Sequence, residues 1–522
     1  MKYWSALRYE RDAATRSRRR KLIMTLTFLR VKGDQMVDEG GRPVRLRGVC
    51  VGGWMNMENF INGYPGHECT LRAAVDKVLG PEKGQFFFDR LLDYFLGEDD
   101  IKFMASLGAN VLRVPMNYRH FEDDQEPFQY KDAAFKRLDW VIATCKKHGL
   151  YTILDLHSAQ GWQNPDWHSD NPSPLALLWT HKSFQDRVAG LWQAIAARYK
   201  NEPAVAGYNI LNEPVCGVKG AFPRVNALLA KAIRKVDKKH VLFVEGNWFS
   251  RDFSEMDPKL DPNTVFSSHN YTEAGFSVGP YPGKSNGVLY DRARMDQEFL
   301  WSNEFMMKYK VPTWVGEFGA IYRGTKFDQD RLRVVDDQIA GFDSHGVSWT
   351  LWTYKDIGMM GTAYVRPDSE WMRRTQRIRD LKSRLGCDTW GQLTKSAGPT
   401  TVLALGKAFY RDAQKANVKL EKDPFTFPFG QASRQIIGIF LSELIVDAYA
   451  EQFRDMTEKQ IDKMMQSFAF KNCNIRQGLA NVLKRHLTAQ PEPSFAEGNG
   501  AGKPVPRKSK PSRKRAARQV SV

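Results

Sequence analysis

The stretch VAGYNILNEPVCG, residues 205–217, begins with small and branched apolar side chains and ends its apolar run at Asn212, Glu213 and Pro214. A strand that is covered on both faces is expected to be apolar almost throughout, as parallel strands flanked by helices are. An ordinary turn would also explain the polar end, because Asn and Pro interrupt regular structure and a glutamate between them can be solvated. The remaining sequence has to distinguish a turn from a functional carboxylate.

Similar β-rich runs recur along the chain, with helical patterns between them. They lie at 44–53, 109–116, 151–157, 205–214, 240–246, 264–271, 312–320 and 346–354. Intervening segments such as AFKRLDWVIATCKKHGL (134–150) and FQDRVAGLWQAIAARYK (184–200) repeat their apolar residues at helical spacing. Strand and helix alternating in this way predict a parallel sheet, and closure into a (β/α)8 TIM barrel is the economical arrangement.

The predicted strands carry polar side chains where they end. In barrels of this kind the catalytic groups lie at the carboxyl ends of the strands. The residues at those ends are Arg113, His157, Asn212 with Glu213, His269 with Tyr271, Glu317, and Trp352. A turn explains either glutamate by itself, but it does not explain the whole set. We therefore expect Glu213 and Glu317 to face each other across the barrel mouth.

Two facing carboxylates can cleave a glycosidic bond. One protonates the leaving oxygen, and the other attacks the anomeric carbon. These roles require different pKa values, so the surroundings of the two groups should differ. A carboxylate beside Arg113 and the hydroxyl of Tyr271 would stay ionised and suit the nucleophile, whereas a less compensated carboxylate would keep its proton.

Short motifs at these positions occur together in a specific order: RVP (113–115), LDLH (154–157), NEP (212–214), HNY (269–271), GEFG (316–319) and LWTY (351–354). Over roughly residues 40–390 the chain resembles glycoside hydrolase family 5, the cellulase family of retaining β-glycosidases with catalytic glutamates on strands four and seven. The resemblance implies that Glu213 is the acid/base and Glu317 the nucleophile. It also implies that Asn212 hydrogen-bonds the 2-hydroxyl of the sugar.

The same resemblance implies roles for the other residues at the strand ends. Arg113 and Tyr271 would support the nucleophile. His157 and His269 would orient polar groups, and Trp352 would stack under the reacting sugar. All of the family's principal positions are filled, so the sequence predicts an active enzyme. The histidines have no metal-ligand spacing, and the resemblance implies neither a metal nor a cofactor.

Other polar residues near the predicted mouth carry weaker signals. Glu245 lies near the end of the fifth strand, where the family pattern has no catalytic carboxylate, so a supporting or structural role is favoured. Residues of the face loops are explained equally well as loop anchors and as substrate contacts: Glu58, Trp162, Asn164, Trp167 and His168.

The net charge of +18 is typical of a nucleic-acid-binding protein, but most of this charge lies at the two ends of the chain. Residues 1–30 hold nine Lys/Arg against two acids, and residues 491–522 hold eight against two, so the ends supply thirteen of these charges. The tail is rich in Pro, Ser and basic residues without a periodic apolar face, which predicts disorder. It could bind polyanions weakly, act as a nuclear address, or merely aid solubility.

The N-terminal sequence also bears on the cellular compartment of the protein. The run RSRRRKLIMTLTFLR (16–30) weakly imitates a signal peptide, but its apolar part is short, Arg30 interrupts it and no cleavage site follows. No segment has the apolar length that a membrane span needs. The sequence therefore predicts a cytoplasmic protein, with atypical secretion or nuclear entry as alternatives.

The chain divides into four predicted parts: a basic N-terminal segment (1–35), the catalytic barrel (36–395), a helical extension packed on the barrel (396–488) and a disordered basic tail (489–522). The extension opens one helix with a capping-box pattern from Thr457 to Gln460. A separate partner-binding module is the alternative interpretation of this region.

Taken together, these patterns predict a monomeric retaining glycoside hydrolase that acts on β-glucans or β-glucosides. A transglycosylase would use the same residues and differ only in whether sugar or water resolves the intermediate. A non-catalytic protein that binds polyanions through its basic ends is a further alternative. Such a scaffold has no reason to retain both Glu213 and Glu317 at strand ends.

Overall fold

The structure is a computed structural model that describes residues 26–285, 287–387, 397–418 and 435–489. Eight strands form a closed barrel. In chain order they are β1 (Arg47–Cys50), β2 (Val111–Asn117), β3 (Tyr151–Ser158), β4 (Val205–Asn209), β5 (Val241–Glu245), β6 (Thr264–His269), β7 (Thr313–Glu317) and β8 (Ser348–Leu351). Each predicted stretch supplies one strand, and the predicted barrel is confirmed.

All neighbouring barrel strands run parallel, and β8 pairs with β1 to close the sheet. Every residue of β3 and β4 is buried, as expected for parallel strands that are covered on both faces. Two glycines allow neighbouring strands to approach. A Cβ at Gly48 would lie 2.0 Å from the carbonyl oxygen of Val111, and one at Gly207 would lie 2.1 Å from that of Val241.

Helices cover the outside of the barrel. The longer ones are Glu98–Leu107 after β1, Asp132–Lys147 after β2, Lys182–Tyr199 after β3, Ala221–Arg234 after β4, Arg292–Ser302 and Glu304–Tyr309 after β6, Asp328–Ser344 after β7, and Glu370–Leu385 after β8. The short helix Asn247–Ser250 follows β5.

One helix shows why these segments fold as they do. In Ala221–Arg234 the side chains of Phe222, Val225, Leu229 and Ile233 recur at intervals of three or four residues and are all buried. Burying an apolar side chain of this size contributes about 1.5–3 kcal/mol relative to leaving it in water. The apolar stripe therefore fixes which side of the helix faces the barrel.

The connections at the carboxyl face carry further elements. Helices Asn59–Asn62, Glu68–Leu79 and Pro81–Phe95 follow β1, and short 3-10 turns Tyr118–His120, Trp167–Ser169 and Leu177–Trp179 follow β2 and β3. After β6 come the helix Glu273–Phe276 and a hairpin of Gly283–Ser285 with Val288–Tyr290. These insertions build walls around the mouth.

The C-terminal segments lie against the barrel. The strand Cys473–Ile475 pairs antiparallel with Ala363–Val365, which in turn pairs with Lys355–Asp356. The remaining elements are the helices Ala397–Lys415, Gln435–Leu441 (a π-helix), Val446–Ala450, Glu458–Met465 and Gln477–Thr488, with 3-10 turns Glu451–Phe453, Gln466–Phe468 and Phe470–Asn472. The Thr457 capping box is present as predicted.

One part of the C-terminal region reaches the walls of the mouth. The backbone N–H of Gly66 donates to the hydroxyl of Ser442 at 2.7 Å. The carboxylate of Glu443 accepts hydrogen bonds from the backbone N–H of His67 at 3.1 Å and from the hydroxyl of Thr70 at 3.0 Å. These bonds attach the segment around residue 442 to the connection that follows β1.

Near the N-terminus, strand Arg30–Lys32 pairs with Gln35–Val37, and Leu29 is buried against the core. The folded residues therefore begin before the predicted boundary at residue 36. Residues 1–25 and the basic tail from residue 490 lie outside the described residues. In the parts of the chain that are described, no helix combines the length and the apolar character required to cross a membrane.

Candidate active site

The residues that the sequence places at strand ends meet at the carboxyl mouth of the barrel. His269 and Glu317 are the last residues of β6 and β7, and Trp352 directly follows β8. Arg113 and His157 lie within β2 and β3. The remaining three lie beyond regular strands, namely Asn212, Glu213 and Tyr271. The fourth strand ends at Asn209 rather than at residue 214, so the opening stretch combines a strand with an irregular connection.

Glu317 is held by two donors. Arg113 donates to its Oε1 at 2.5 Å, and the hydroxyl of Tyr271 donates to its Oε2 at 2.8 Å. The Arg113 side chain is fully buried, and the Glu317 side chain is 4% exposed. A guanidinium and a hydroxyl, each bound to one oxygen, fix the orientation of this carboxylate.

Glu213 is surrounded by histidines. Its Oε1 lies 2.7 Å from Nδ1 of His269, and its Oε2 lies 3.1 Å from Nε2 of His168. Its backbone has φ of 44°, in the left-handed region that side chains other than glycine rarely adopt. The side chain is 12% exposed. Glu213 is thus directed into the mouth by an unusual backbone conformation.

The two glutamates lie close together, with His269 between them. One oxygen of each carboxylate and one nitrogen of His269 all lie within 4.8 Å of one another. The Nδ1 atom of His269 is 3.6 Å from Oε2 of Glu317. The imidazole of His269 therefore contacts both candidate catalytic carboxylates.

The pKa values of this pair place the proton on the imidazole. Burial opposes protonation of His269, but the negative charges of Glu317 and Glu245 and the contact with Glu213 raise its pKa to about 10. Burial also opposes ionisation of Glu213, but the hydrogen bond and charge of His269 lower the pKa of this carboxyl to about 2. The directions of these two shifts favour an ion pair of Glu213 with His269, and the histidine contacts compensate the Glu213 carboxylate more than the sequence analysis expected.

Arg113 is the centre of a buried network of hydrogen bonds and ion pairs. The sequence predicted only its contact with the nucleophile. Its guanidinium donates to Oδ1 of Asn209 at 3.1 and 2.9 Å and to Oδ1 of Asn212 at 2.7 Å. It also lies 3.2 Å from Oδ2 of Asp155 and 3.1 Å from Oε1 of Glu245. Several acceptors fix one guanidinium, and this fixes the position of the donor that faces Glu317.

A second chain of contacts supports the sugar-facing side of the mouth. The Nδ1 of His157 lies 2.8 Å from Oδ2 of Asp155, and its Nε2 lies 3.3 Å from the amide nitrogen of Asn212. The His157 ring stacks on Trp352 with centroids 5.2 Å apart and an interplanar angle of 6°. This stack sets the orientation of the indole.

Two contributors were not singled out from the sequence, Asp155 and Asn209, and two others were named without their contacts, His168 and Glu245. Asp155 and Asn209 are polar residues at buried positions of β3 and β4, and a polar residue in a predicted buried strand is a signal that could have identified them. Glu245 was assigned a supporting role without its contacts. The contact of His168 with Glu213 depends on the path of the loop after β3, which leaves no sequence signal.

The other face-loop residues are anchored within the loops. The indole N–H of Trp162 donates to the backbone carbonyl of Asp170 at 2.8 Å, and that of Trp167 donates to Glu58 at 3.3 Å. The side-chain amide of Asn164 donates to the carbonyl of Glu213 at 2.9 Å. Their contacts are those of loop anchors.

One group in the described part of the chain has the donor atoms of a metal site, and it is the trio Glu213, His269 and Glu317. The same three side chains form the contact between Glu213 and His269 at 2.7 Å and the carboxylate of Glu317 that Arg113 and Tyr271 hold.

Several known proteins are similar to this chain in sequence. The profile described as "Cellulase (glycosyl hydrolase family 5)" matches residues 92–358, which include all eight predicted site residues. A "Beta-xylosidase" of Phanerodontia chrysosporium is 40% identical over 468 residues, which cover 88% of this chain and 98% of that protein. An "Endoglucanase C" of Acetivibrio thermocellus is 24% identical over 312 residues, 52% of this chain and 88% of that protein.

A solved structure, described as "Crystal structure of endogalactoceramidase", matches with a TM-score of 0.49 at 18% sequence identity. The match covers 68% of this chain and 78% of that chain.

Proposed function

This chain belongs to glycosyl hydrolase family 5 and is a glycoside hydrolase that acts on β-glycosides, and on that premise we propose that it cleaves small β-D-xylosides and β-D-glucosides with retention of anomeric configuration. Glu317 is the nucleophile in this proposal, and Glu213 with His269 supplies the proton for the leaving group.

The separation of the two carboxylates carries the proposal of retention. One oxygen of Glu213 lies within 4.8 Å of one oxygen of Glu317. Retaining glycosidases hold their carboxyl groups about 5–5.5 Å apart, and inverting ones about 6.5–9.5 Å apart to admit a water molecule. The observed spacing supports direct attack by a carboxylate on the sugar.

In the first step Glu317 attacks the anomeric carbon and the bond to the leaving oxygen breaks. Arg113 and Tyr271 hold the attacking carboxylate in place through one hydrogen bond to each of its oxygens. Asn212 accepts a hydrogen bond from Arg113, and in this proposal it hydrogen-bonds the 2-hydroxyl of the sugar. The leaving oxygen must gain a proton as this bond breaks.

That proton begins on His269. The charge of Glu317 is the largest of the influences that raise the pKa of this imidazole, and it is lost as Glu317 bonds to the sugar. The proton on Nδ1 can then pass to Oε1 of Glu213 and on to the leaving oxygen. In the second step Glu213 takes a proton from water, and the resulting hydroxide attacks the anomeric carbon and releases Glu317. The proton returns to His269, so the cycle balances.

Two observations support small glycosides rather than the interior of a polymer. The side chains of Glu213 and Glu317 are only 12% and 4% exposed, so the reacting bond has to reach two largely buried carboxylates. The relative that this chain matches over 98% of that relative's length is described as a "Beta-xylosidase". A terminal sugar enters such a site more readily than the middle of a glucan chain.

The test is a panel of aryl β-D-xylosides, β-D-glucosides and β-D-mannosides, with soluble β-glucan and xylan as polymers. We expect turnover of the xyloside or glucoside, little change in polymer viscosity, and a β-anomer as the first product by proton NMR. An α-anomer as first product would overturn retention. A methyl glycoside as the main product in dilute methanol with little hydrolysis would identify a transglycosylase.

A further inference from the structure

The last residue of β5, Glu245, is a fully buried carboxylate with contacts to four parts of the mouth. Its Oε2 accepts hydrogen bonds from the backbone N–H of Glu213 at 2.7 Å and from the hydroxyl of Ser250 at 2.5 Å. Its Oε1 lies 3.1 Å from Nη2 of Arg113 and 3.4 Å from Nε2 of His269. A carboxylate that only filled space in the core would not need this set of donors.

We propose that Glu245 is a positioning residue for the acid/base: it fixes the backbone of Glu213 and supplies the negative charge that keeps a proton on the Glu213–His269 pair. This inference rests on the proposed function, in which that proton is delivered to the leaving oxygen. Glu245 acts through these two residues and touches no reacting atom.

The positional part of the inference follows from the backbone of Glu213. A left-handed conformation costs a residue with a side chain roughly 1–2 kcal/mol, so the surroundings must hold it. The N–H of Glu213 donates to Glu245, and its carbonyl accepts from the side chain of Asn164 at 2.9 Å. Removing Glu245 would leave a buried N–H without its acceptor, and the backbone could relax away from the catalytic geometry.

The connection after β5 reinforces this arrangement. Ser250, which donates to Glu245, has φ of 61° and follows two further left-handed residues, Trp248 and Phe249. The side chain of Asn247 binds both the N–H and the carbonyl of Cys216, at 2.8 and 2.9 Å. The connections after β4 and β5 are thus joined at Glu213 and again at Cys216.

The electrostatic part follows from the charges around His269. Its ring faces Glu213 beyond β4, Glu245 on β5 and Glu317 on β7, while Arg113 on β2 faces Glu245 and Glu317. His168 faces the other oxygen of Glu213. Of the two carboxylates that flank His269 besides Glu213, only Glu245 keeps its charge when Glu317 bonds to the sugar. The negative charge of Glu245 therefore still attracts a proton to His269 while Glu317 is bonded to the sugar, and it favours the return of that proton to the Glu213–His269 pair.

Three variants separate charge from position. In Glu245→Gln the amide oxygen can still accept from the N–H of Glu213, but the charge is gone. The pKa values of both His269 and Glu213 should fall, because the charge of Glu245 raises each of them. For an aryl glycoside with a poor leaving group, the alkaline limb of kcat/KM should move to lower pH by about one unit. A dinitrophenyl glycoside, whose leaving group needs no proton, should show a much smaller change.

Glu245→Asp keeps the charge and shortens the side chain. It should lower kcat by about 10- to 100-fold because Glu213 is less well placed, with the alkaline limb near that of the wild type. Glu245→Ala should show both defects. Asp237→Asn is the matched control, because Asp237 is another buried carboxylate beside a histidine, His240, but precedes β5 at the opposite end of the barrel. It should lower the melting temperature without moving the pH profile.

The outcomes are distinct. An unchanged alkaline limb in a folded Glu245→Gln variant, with only a lower melting temperature, would overturn the inference and leave a structural role. A shift of equal size in Asp237→Asn would also overturn it. If the wild type hydrolysed none of the panel, the proposed function would fail before this inference was reached.

Discussion

The Nδ1 atom of His269 lies 2.7 Å from Oε1 of Glu213, so the candidate acid/base shares its proton with an imidazole. The pKa of the imidazole is raised to about 10 and that of the carboxyl is lowered to about 2, which makes the pair an ion pair across the neutral range. The acidity available to the leaving group is consequently a property of both residues, and it changes when neighbouring carboxylates change their charge.

This pair predicts a pH-dependent stability difference between the wild type and His269→Asn. The folded pKa of His269 is raised from 6.5 to about 10, so its contribution is fully present below pH 6.5 and is lost as pH rises through 10. Glu213 has its pKa lowered from 4.5 to about 2, so its part is present above pH 4.5 and is lost as pH falls through 2. Both contributions are fully present between pH 4.5 and pH 6.5. In that range we expect the free energy of unfolding of the variant to be about 1.5–3 kcal/mol lower than that of the wild type.

Urea denaturation of both proteins at about pH 6 and about pH 9 measures this difference. The gap in the free energy of unfolding should be smaller at the higher pH. A gap that stays constant between the two pH values would show that His269 contributes packing rather than charge.

The nucleophile is tested by Glu317→Ala. The covalent intermediate cannot form in this variant, so kcat should fall by at least about 10⁴-fold. Azide can occupy the vacated space and attack from the same face, which gives a glycosyl azide of inverted configuration. NMR of the azide product measures this, and a product of retained configuration would mean that Glu317 is not the nucleophile.

The acid/base is tested by Glu213→Ala. Its nucleophile survives, so a dinitrophenyl glycoside should still form the intermediate, whereas poor leaving groups should react about 10²- to 10⁴-fold more slowly. Azide should rescue turnover with retained configuration because it attacks where water would. Near wild-type rates on all leaving groups would remove Glu213 from the mechanism.

Two truncations examine the C-terminal region. Deletion of 491–522 should leave hydrolysis of small glycosides nearly unchanged, because a charged tail without an apolar face adds little to a core. Deletion of 477–522 also removes the helix Gln477–Thr488, whose Leu479, Leu483 and Leu487 are buried. That protein should lose several kcal/mol of stability, since each buried leucine contributes about 1.5–3 kcal/mol.

Thermal melting and turnover of an aryl glycoside, measured on both truncations, give the comparison. A large loss of activity in the shorter deletion would assign the basic tail a role in the site. Equal melting temperatures for the two truncations would contradict the packing of the last helix.

The sequence by itself determined the barrel and the positions of the main site residues. Alternating strand and helix patterns require a parallel sheet, and the carboxyl ends of parallel strands meet on one face. Glu213 and Glu317 could therefore be brought together without coordinates, although they are far apart in the chain. The Thr457 capping box was also readable, because its contacts span only one helical turn.

Only the tertiary structure decided which side chains touch within the mouth. Glu245 looked like an ordinary strand end, and its role came from the approach of Glu213, Arg113 and His269 from other strands. For the same reason, the contacts of two histidines with Glu213 were not predicted. A pKa is set by charges and burial within a few ångströms, and those distances follow from strand register and loop paths that residue patterns do not encode.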